Sequence, residues 1–267
     1  MFKKLFVASA LAMFGCSGQS DDIETSDRDD EVLEIIDNLV DAGYPEREID
    51  VQDDGRVFVG GDAHVTLEAS REMVGLTDGH DHEDDFRQYR TTNQVGAGVT
   101  TICMNGASLN GTLSTALDNA IANYNALPLQ FDFLRVGNGG NGACNATITV
   151  QGKGAAGGIS GFPAGGLPYS QIQVGKGTAN YGLAVTTHVM EHEMGHCIGL
   201  RHSDYYNRSI SCGGGASNEG DGGVGAILIP GTPNNAVLDG SVFNSCFHGG
   251  STGVFTNSDV TALNALY

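Results

Sequence analysis

Residues 188–204, HVMEHEMGHCIGLRHSD, decide how the rest of the chain reads. They carry His192, Glu193, His196, Gly199 and His202 in the pattern H-E-x-x-H-x-x-G-x-x-H. On a helix, positions four apart share one face, so His192 and His196 present their imidazoles to a single ion. Gly199 can take the left-handed backbone that ends a helix and turns the chain back, which brings His202 toward the same ion. Three neutral imidazoles suit Zn²⁺ and leave a fourth position open for water, the arrangement of a catalytic rather than a structural site. Glu193 stands beside the first ligand, where a carboxylate accepts a proton from that water. His188 lies one turn further back on the same face. A straight helix cannot aim three successive i, i+4 side chains at one small ion, so His188 is expected to pack or support rather than to ligate. Asp204, which follows the third histidine, either orients an imidazole through its free N–H or caps a turn.

The motif sits in a chain of 267 residues, enough for one medium domain and a shorter appendage. Forty glycines, no tryptophan and 17% charged residues suit a loop-rich exported fold better than a helical bundle. The net charge of −19 is spread unevenly: residues 21–90 hold 23 acidic and 6 basic side chains, whereas 91–267 hold 9 and 5. The acidity therefore belongs to an N-terminal segment. No basic patch exists to neutralise phosphates, which excludes nucleic acid as a partner.

Residues 1–15 read as an export signal, because Lys3 and Lys4 precede LFVASALAMF, an apolar run too short to span a bilayer. Cys16 follows Gly15 in an arrangement similar to a bacterial lipoprotein signal, in which the cysteine is lipidated and anchors the chain to the membrane. On that reading the protein is a cell-envelope or outer-membrane lipoprotein facing the exterior; plain cleavage here gives a secreted product instead. Residues 16–30 have the acidic, small-residue composition of a disordered tether. A small N-terminal unit follows over 31–90. Val32, Leu33, Ile35, Ile36, Leu39 and Val40 recur at helical spacing, and in IDVQDDGRVFVGGDAHVTL the pair Asp54-Gly55 separates two apolar runs as in a hairpin. DGHDHEDD (78–85) reads as a charged linker whose His80 and His82 are solvated rather than ligating.

The second unit spans 91–267. VTTICM (99–104), QFDFLRV (130–136), ATITVQG (146–152) and SQIQVG (170–175) read as strands, LSTALDNAIANYNAL (113–127) as a helix closed by Pro128, and 183–199 as the metal-bearing helix. The Gly-rich stretch 154–169 and the segment 203–240 read as loops. FTNSDVTALNALY closes the chain as a helix capped by Ser258 or Asn257. Strand, helix, several strands and then a metal-bearing helix make an α+β fold.

The extended motif resembles that of the metzincin zinc endopeptidases. HEMGHCIGLRHSD, together with SVFNSCF (241–247) and the closing helix, is similar to the bacterial dual-action HEIGH metallopeptidases over most of 95–267. The resemblance implies a mixed twisted sheet with a backing helix, an active-site helix and a C-terminal helix, preceded here by the small propeptide-like unit. It implies a zinc-dependent endopeptidase acting on protein or peptide, with His192, His196 and His202 as ligands and Glu193 as general base. In metzincins a Met-turn supplies an apolar floor beneath the histidines; Phe243 stands at that position and is apolar enough to serve. Some members carry a tyrosine ligand two residues later, but that position is Ser245, so no tyrosine ligand is carried over. VGGD (59–62) resembles the segment of astacin-type propeptides whose aspartate fills the metal's open position, and Asp62 is the residue so placed. Its other reading is a hairpin residue in a folded adapter.

Beyond Cys16 five cysteines remain, so in an exported protein one stays unpaired. Cys197–Cys212 is the expected bridge, tying the metal-bearing helix to the long loop after it, and Cys103–Cys144 is the second. Two other function classes stay open at this level, a metal-binding surface adhesin without turnover and a zinc amidase acting on non-protein amides. The intact Glu193 speaks against the first.

Overall fold

The alternating stretch ATITVQG forms β7 (Ala146–Gly152), with Ile148 and Val150 fully buried. Two strands flank it in parallel, β5 (Thr101–Asn105) on one side and β9 (Gln171–Val174) on the other, and β6 (Asp132–Val136) adds to β5, again in parallel. Parallel neighbours need a crossover, and α3 (Gly111–Asn125) supplies the one between β5 and β6. Its Leu113, Leu117, Ile121 and Tyr124 face the core. The metal-bearing helix, α4 (Leu183–Cys197), packs along α3 and completes the main core with Phe243 and Leu263. This computed structural model describes residues 21–74, 88–138, 142–220, 226–233 and 235–267, so Cys16, the export signal, His80 and His82 lie outside the described residues. Among the described residues no helix is long and apolar enough to cross a membrane.

The fold is α+β with a mixed sheet, but the N-terminal part is more extensive than a helix and hairpin. Helix α1 (Asp21–Asp41) begins within the stretch expected to be an irregular tether. Three short strands follow, β1 (Ile49–Val51), β2 (Val57–Val59) and β3 (Ala63–Val65), as an antiparallel meander, and then α2 (Leu67–Val74). Leu39, Tyr44, Val57, Val59 and Met73 make a second small core, into which Phe162 projects from the other side. Strand β3 pairs in parallel with β8 (Gly158–Gly161), so one eight-stranded sheet runs β1-β2-β3-β8-β9-β7-β5-β6, continuous across residue 91, while β4 (Tyr89–Arg90) pairs separately with β10 (Ile227–Leu228).

Strand β8 lies inside the Gly-rich stretch expected to be a loop. Its sequence GISG hides it, since glycine weakens a strand pattern, but both glycines are needed for close approach. A Cβ at Gly158 would stand 2.3 Å from Glu193 Oε1, and one at Gly161 would stand 2.6 Å from the His64 carbonyl on β3. At the other end of the chain, α6 (Asn257–Leu266) is capped by Thr256, one residue before the expected cap. Thr256 and Asp259 form a reciprocal capping box, which an Asp at the third helical position makes possible in place of the usual Glu.

Among the described residues two disulfides are present, Cys103–Cys144 and Cys212–Cys246. The expected Cys197–Cys212 bridge is not formed. Cys197 is fully buried on the core side of α4, its thiol facing the Gln171 carbonyl on β9, while Cys212 ends the short helix α5 (Ser209–Cys212) out in the long loop. A bridge needs Cα atoms within about 7 Å, which Cys246 satisfies at 5.0 Å. The loop 203–240 is thereby pinned to the segment that carries Phe243. Alkylation under native, non-reducing conditions should leave Cys197 unmodified, and peptide mapping should then recover 103–144 and 212–246 as linked pairs. A linked peptide containing Cys197 would overturn this arrangement.

Candidate metal centre

Helix α4 ends in a Schellman motif: Leu200 N–H donates to the Gly195 carbonyl and Gly199 N–H to that of His196, both at 2.9 Å. Gly199 takes φ +100°, and a Cβ there would meet the Asn93 carbonyl at 2.5 Å. The chain reverses at this point, and residues 200–202 return beneath the last turn of the helix. The backbone of residues 89–91 holds them, through Arg201 N–H to the Tyr89 carbonyl at 2.8 Å and Thr91 N–H to the Gly199 carbonyl at 2.9 Å.

This turn brings His192, His196 and His202 together, and the turn between β2 and β3 adds Asp62. Each imidazole is oriented from behind. His192 Nδ1 faces the Val242 carbonyl at 2.9 Å, and His196 Nδ1 faces the Leu200 carbonyl at 2.7 Å. His202 Nδ1 faces Glu219 Oε1 at 2.6 Å. Carbonyl and carboxylate oxygens only accept, so the proton of each ring belongs on Nδ1 and the Nε2 lone pairs point inward. Those Nε2 atoms stand 3.0 Å apart for His192 and His196 and 3.2 Å apart for His192 and His202. Asp62 carboxylate oxygens lie 3.1, 3.5 and 3.6 Å from the Nε2 atoms of His202, His192 and His196.

The donor set fits a cation. A tetrahedral zinc ion with bonds of about 2.0–2.1 Å needs its ligand atoms about 3.3–3.4 Å apart, and these separations bracket that value. Asp62 Oδ1 is buried without a hydrogen-bond partner, which a cation at the centre of the four residues would provide. Against the burial that would lower it, the Asp62 and Glu219 carboxylates hold the His202 imidazole well above its usual value. Burial opposes ionisation of Asp62 too, but His202 and His192 hold that carboxyl well below its usual range.

Glu193 sits beside this cluster, buried, with Oε2 accepting from the Ser160 hydroxyl at 2.6 Å. Burial, with the Asp62 carboxylate adding to it, pushes its carboxyl up to about 8. A cavity of about 240 Å³ opens over Glu193 and His192, walled by Gly60–Asp62 on one side and by Gly158, Asn244 and Phe247 on others. His188 lines the same cavity but stands outside the cluster of Asp62 and the three histidines; its Nδ1 faces the Thr252 carbonyl at 3.0 Å, and burial lowers it to about 4.

Asp204 does not orient an imidazole. It staples the loops instead, accepting at 2.6 Å from the Ser211 hydroxyl and at 2.8 and 2.7 Å from the Ser245 N–H and hydroxyl. The imidazole partner is Glu219, far along a Gly-rich stretch where no spacing marks it out. Asp259 is the other residue that sequence reasoning missed. From the first turn of α6 it accepts from the Ser241 hydroxyl at 2.5 Å and Val242 N–H at 3.1 Å, fixing the carbonyl that orients His192.

Phe243 is fully buried, with its ring 6.3 Å from that of His192. Its ring lies so close to α4 that a Cβ at Gly195 would stand 2.1 Å from its edge. The glycine between Met194 and His196 is therefore the counterpart of the phenylalanine.

The family model for the dual-action HEIGH metallo-peptidases matches residues 57–267. Two solved structures of myroilysin are similar to the chain, one at 13% identity over 63% of this chain and 82% of that one with a TM-score of 0.36. The other shows 12% identity over 66% of this chain and 82% of that one, with a TM-score of 0.39. Nothing matches among curated proteins.

Gly195→Ala should lose about 1–3 kcal/mol by overpacking against Phe243, and Gly195→Ala with Phe243→Leu should recover part of that loss. Thermal unfolding of both variants measures the coupling. Strictly additive losses would mean that the two residues do not share this contact.

Proposed function

Because the chain belongs to the dual-action HEIGH metallo-peptidase family and is thus a metallopeptidase, we propose that it is an exported zinc endopeptidase with Glu193 as general base. The observation that carries this reading is the convergence of three imidazole Nε2 atoms whose Nδ1 atoms are each committed to an acceptor elsewhere. His192, His196 and His202 would hold the ion. When bound, zinc acidifies its water and polarises the scissile carbonyl. Glu193 takes a proton from the attacking water and returns it to the leaving amine. The Ser160 hydroxyl fixes one of its oxygens, and the other lies against Gly158, where a Cβ would collide with it.

Asp62 gives this enzyme a latent form. Its carboxylate stands at the fourth corner of the ligand set, where the attacking water belongs, and a carboxylate is a competent zinc ligand. Gly60 and Gly61, at φ +65° and +91°, make the turn that aims it there. Export suits the chemistry too. Two disulfides belong to oxidising compartments, and Lys3, Lys4 and the apolar run ahead of Cys16 supply a signal with a lipid-attachment point.

Glu193→Gln should bind zinc like the wild type yet cleave an unstructured protein about 10²–10⁴-fold more slowly. Undiminished cleavage by that variant, or cleavage insensitive to a chelator, would sink the mechanism. Asp62→Ala in the full chain should be at least about tenfold more active than the wild type, since a tethered ligand acts at millimolar effective concentration. An equally active Asp62→Ala would show that the aspartate does not close the site.

A further inference from the structure

His202 is the one histidine of the three that no helix holds. His192 and His196 take their positions from α4, but His202 lies beyond the Gly199 reversal and depends on its contact with Glu219. Glu219 is itself buried, and its surroundings are unusual for a carboxylate in a loop. The Arg201 guanidinium stands 3.5 Å from Oε2, the Arg208 Nε stands 3.2 Å from Oε1, and the Ser245 hydroxyl donates to Oε1 at 3.3 Å.

Both arginines reach onward to the N-terminal part of the chain. Arg201 lies over the Tyr44 ring at 4.5 Å, and Arg208 stands 3.6 Å from Glu48 Oε2. The segment bearing Glu219 is gripped by the same residues. The Ser217 hydroxyl donates to Glu48 Oε1 at 3.0 Å, Arg47 donates to the Asn218 carbonyl at 3.3 Å, and a Cβ at Gly220 would stand 2.8 Å from the Gly43 carbonyl. Even the turn that carries Asp62 backs onto this carboxylate, with a Cβ at Gly60 only 3.1 Å from Oε2.

We propose that Glu219 is a positioning residue for the third metal ligand, and that residues 44–48 set its placement through Arg201 and Arg208. Metal affinity, and not only access to the site, then depends on the docked N-terminal segment. The inference rests on the metal reading given above and adds a support to the site that lies ahead of the family match at residue 57. The physical reason is that a carboxylate behind an imidazole fixes its ring and raises its basicity, while a carboxylate left without its own cations would be drawn toward water.

The test is zinc affinity of the full chain, measured by competition with a chromogenic chelator, for wild type, Glu219→Ala, Glu219→Gln, Glu48→Gln and Glu48→Gln/Glu219→Ala. Glu219→Ala should weaken zinc binding by about 10–100-fold. Glu219→Gln keeps an acceptor for the imidazole N–H but not the charge, and should fall between. Glu48→Gln should weaken binding by about two- to fivefold in the wild type and have no further effect in the Glu219→Ala background, because it acts through that residue. Asp118→Asn, at the exposed pair with Arg135, should change nothing. Wild-type affinity in Glu219→Ala would overturn the proposal, as would a Glu48→Gln effect of the same size in both backgrounds. If Glu219→Ala does not fold, wild-type affinity in Glu219→Gln overturns it instead. A wild type that takes up no zinc would refute the metal reading itself, a separate outcome.

Discussion

Three imidazoles can offer their lone pairs to one point only if something else takes the proton on each far nitrogen, and that requirement organises this molecule. The acceptors are the Val242 carbonyl, the Leu200 carbonyl and the Glu219 carboxylate. Each belongs to a different segment, and each segment needs its own support. Leu200 is placed by the Schellman turn at Gly199, Val242 by Asp259 in the capping box of α6, and Glu219 by two arginines. The C-terminal helix and the long loop are parts of the site for this reason, although neither supplies a ligand.

The same constraint explains the placement of several glycines. Glu193 lies beside the three converging histidines, and β8 passes directly against its carboxylate. Only a residue without Cβ leaves space between them, so Gly158 sits in the middle of a structural element whose composition argues against a strand. Gly195 allows Phe243 to press its ring against the helix backbone beside His192.

How much of this was legible in the sequence follows from the range of the interactions. His192, Glu193, His196, Gly199 and His202 were readable because their relation is fixed by helical spacing and one turn. The strands of the main sheet and α3 were readable because alternation and helical period survive burial. Strand β8 was not, since close approach had replaced two of its four side chains by hydrogen. The Cys212–Cys246 bridge, Glu219 and Asp259 were also beyond reach. Each acts across a long loop, where sequence separation carries no information about distance. Asp204 shows the converse, since adjacency to the motif suggested an imidazole partner and the side chain turned instead toward Ser211 and Ser245.

On the reading proposed above, the N-terminal part of the chain would act on the centre in two opposed ways: Asp62 would compete for the position that water must occupy, and residues 44–48 would brace the carboxylate that faces His202. A segment that did only the first could be discarded without loss. One that also does the second is a structural part of the enzyme, in keeping with strands β1–β3 extending the catalytic sheet and sharing a core with Phe162. The Gly60–Gly61 turn, with both glycines at positive φ, aims Asp62 at the centre, whereas the Arg208–Glu48 ion pair and the Arg201–Tyr44 stacking tie residues 44–48 to the body of the protein.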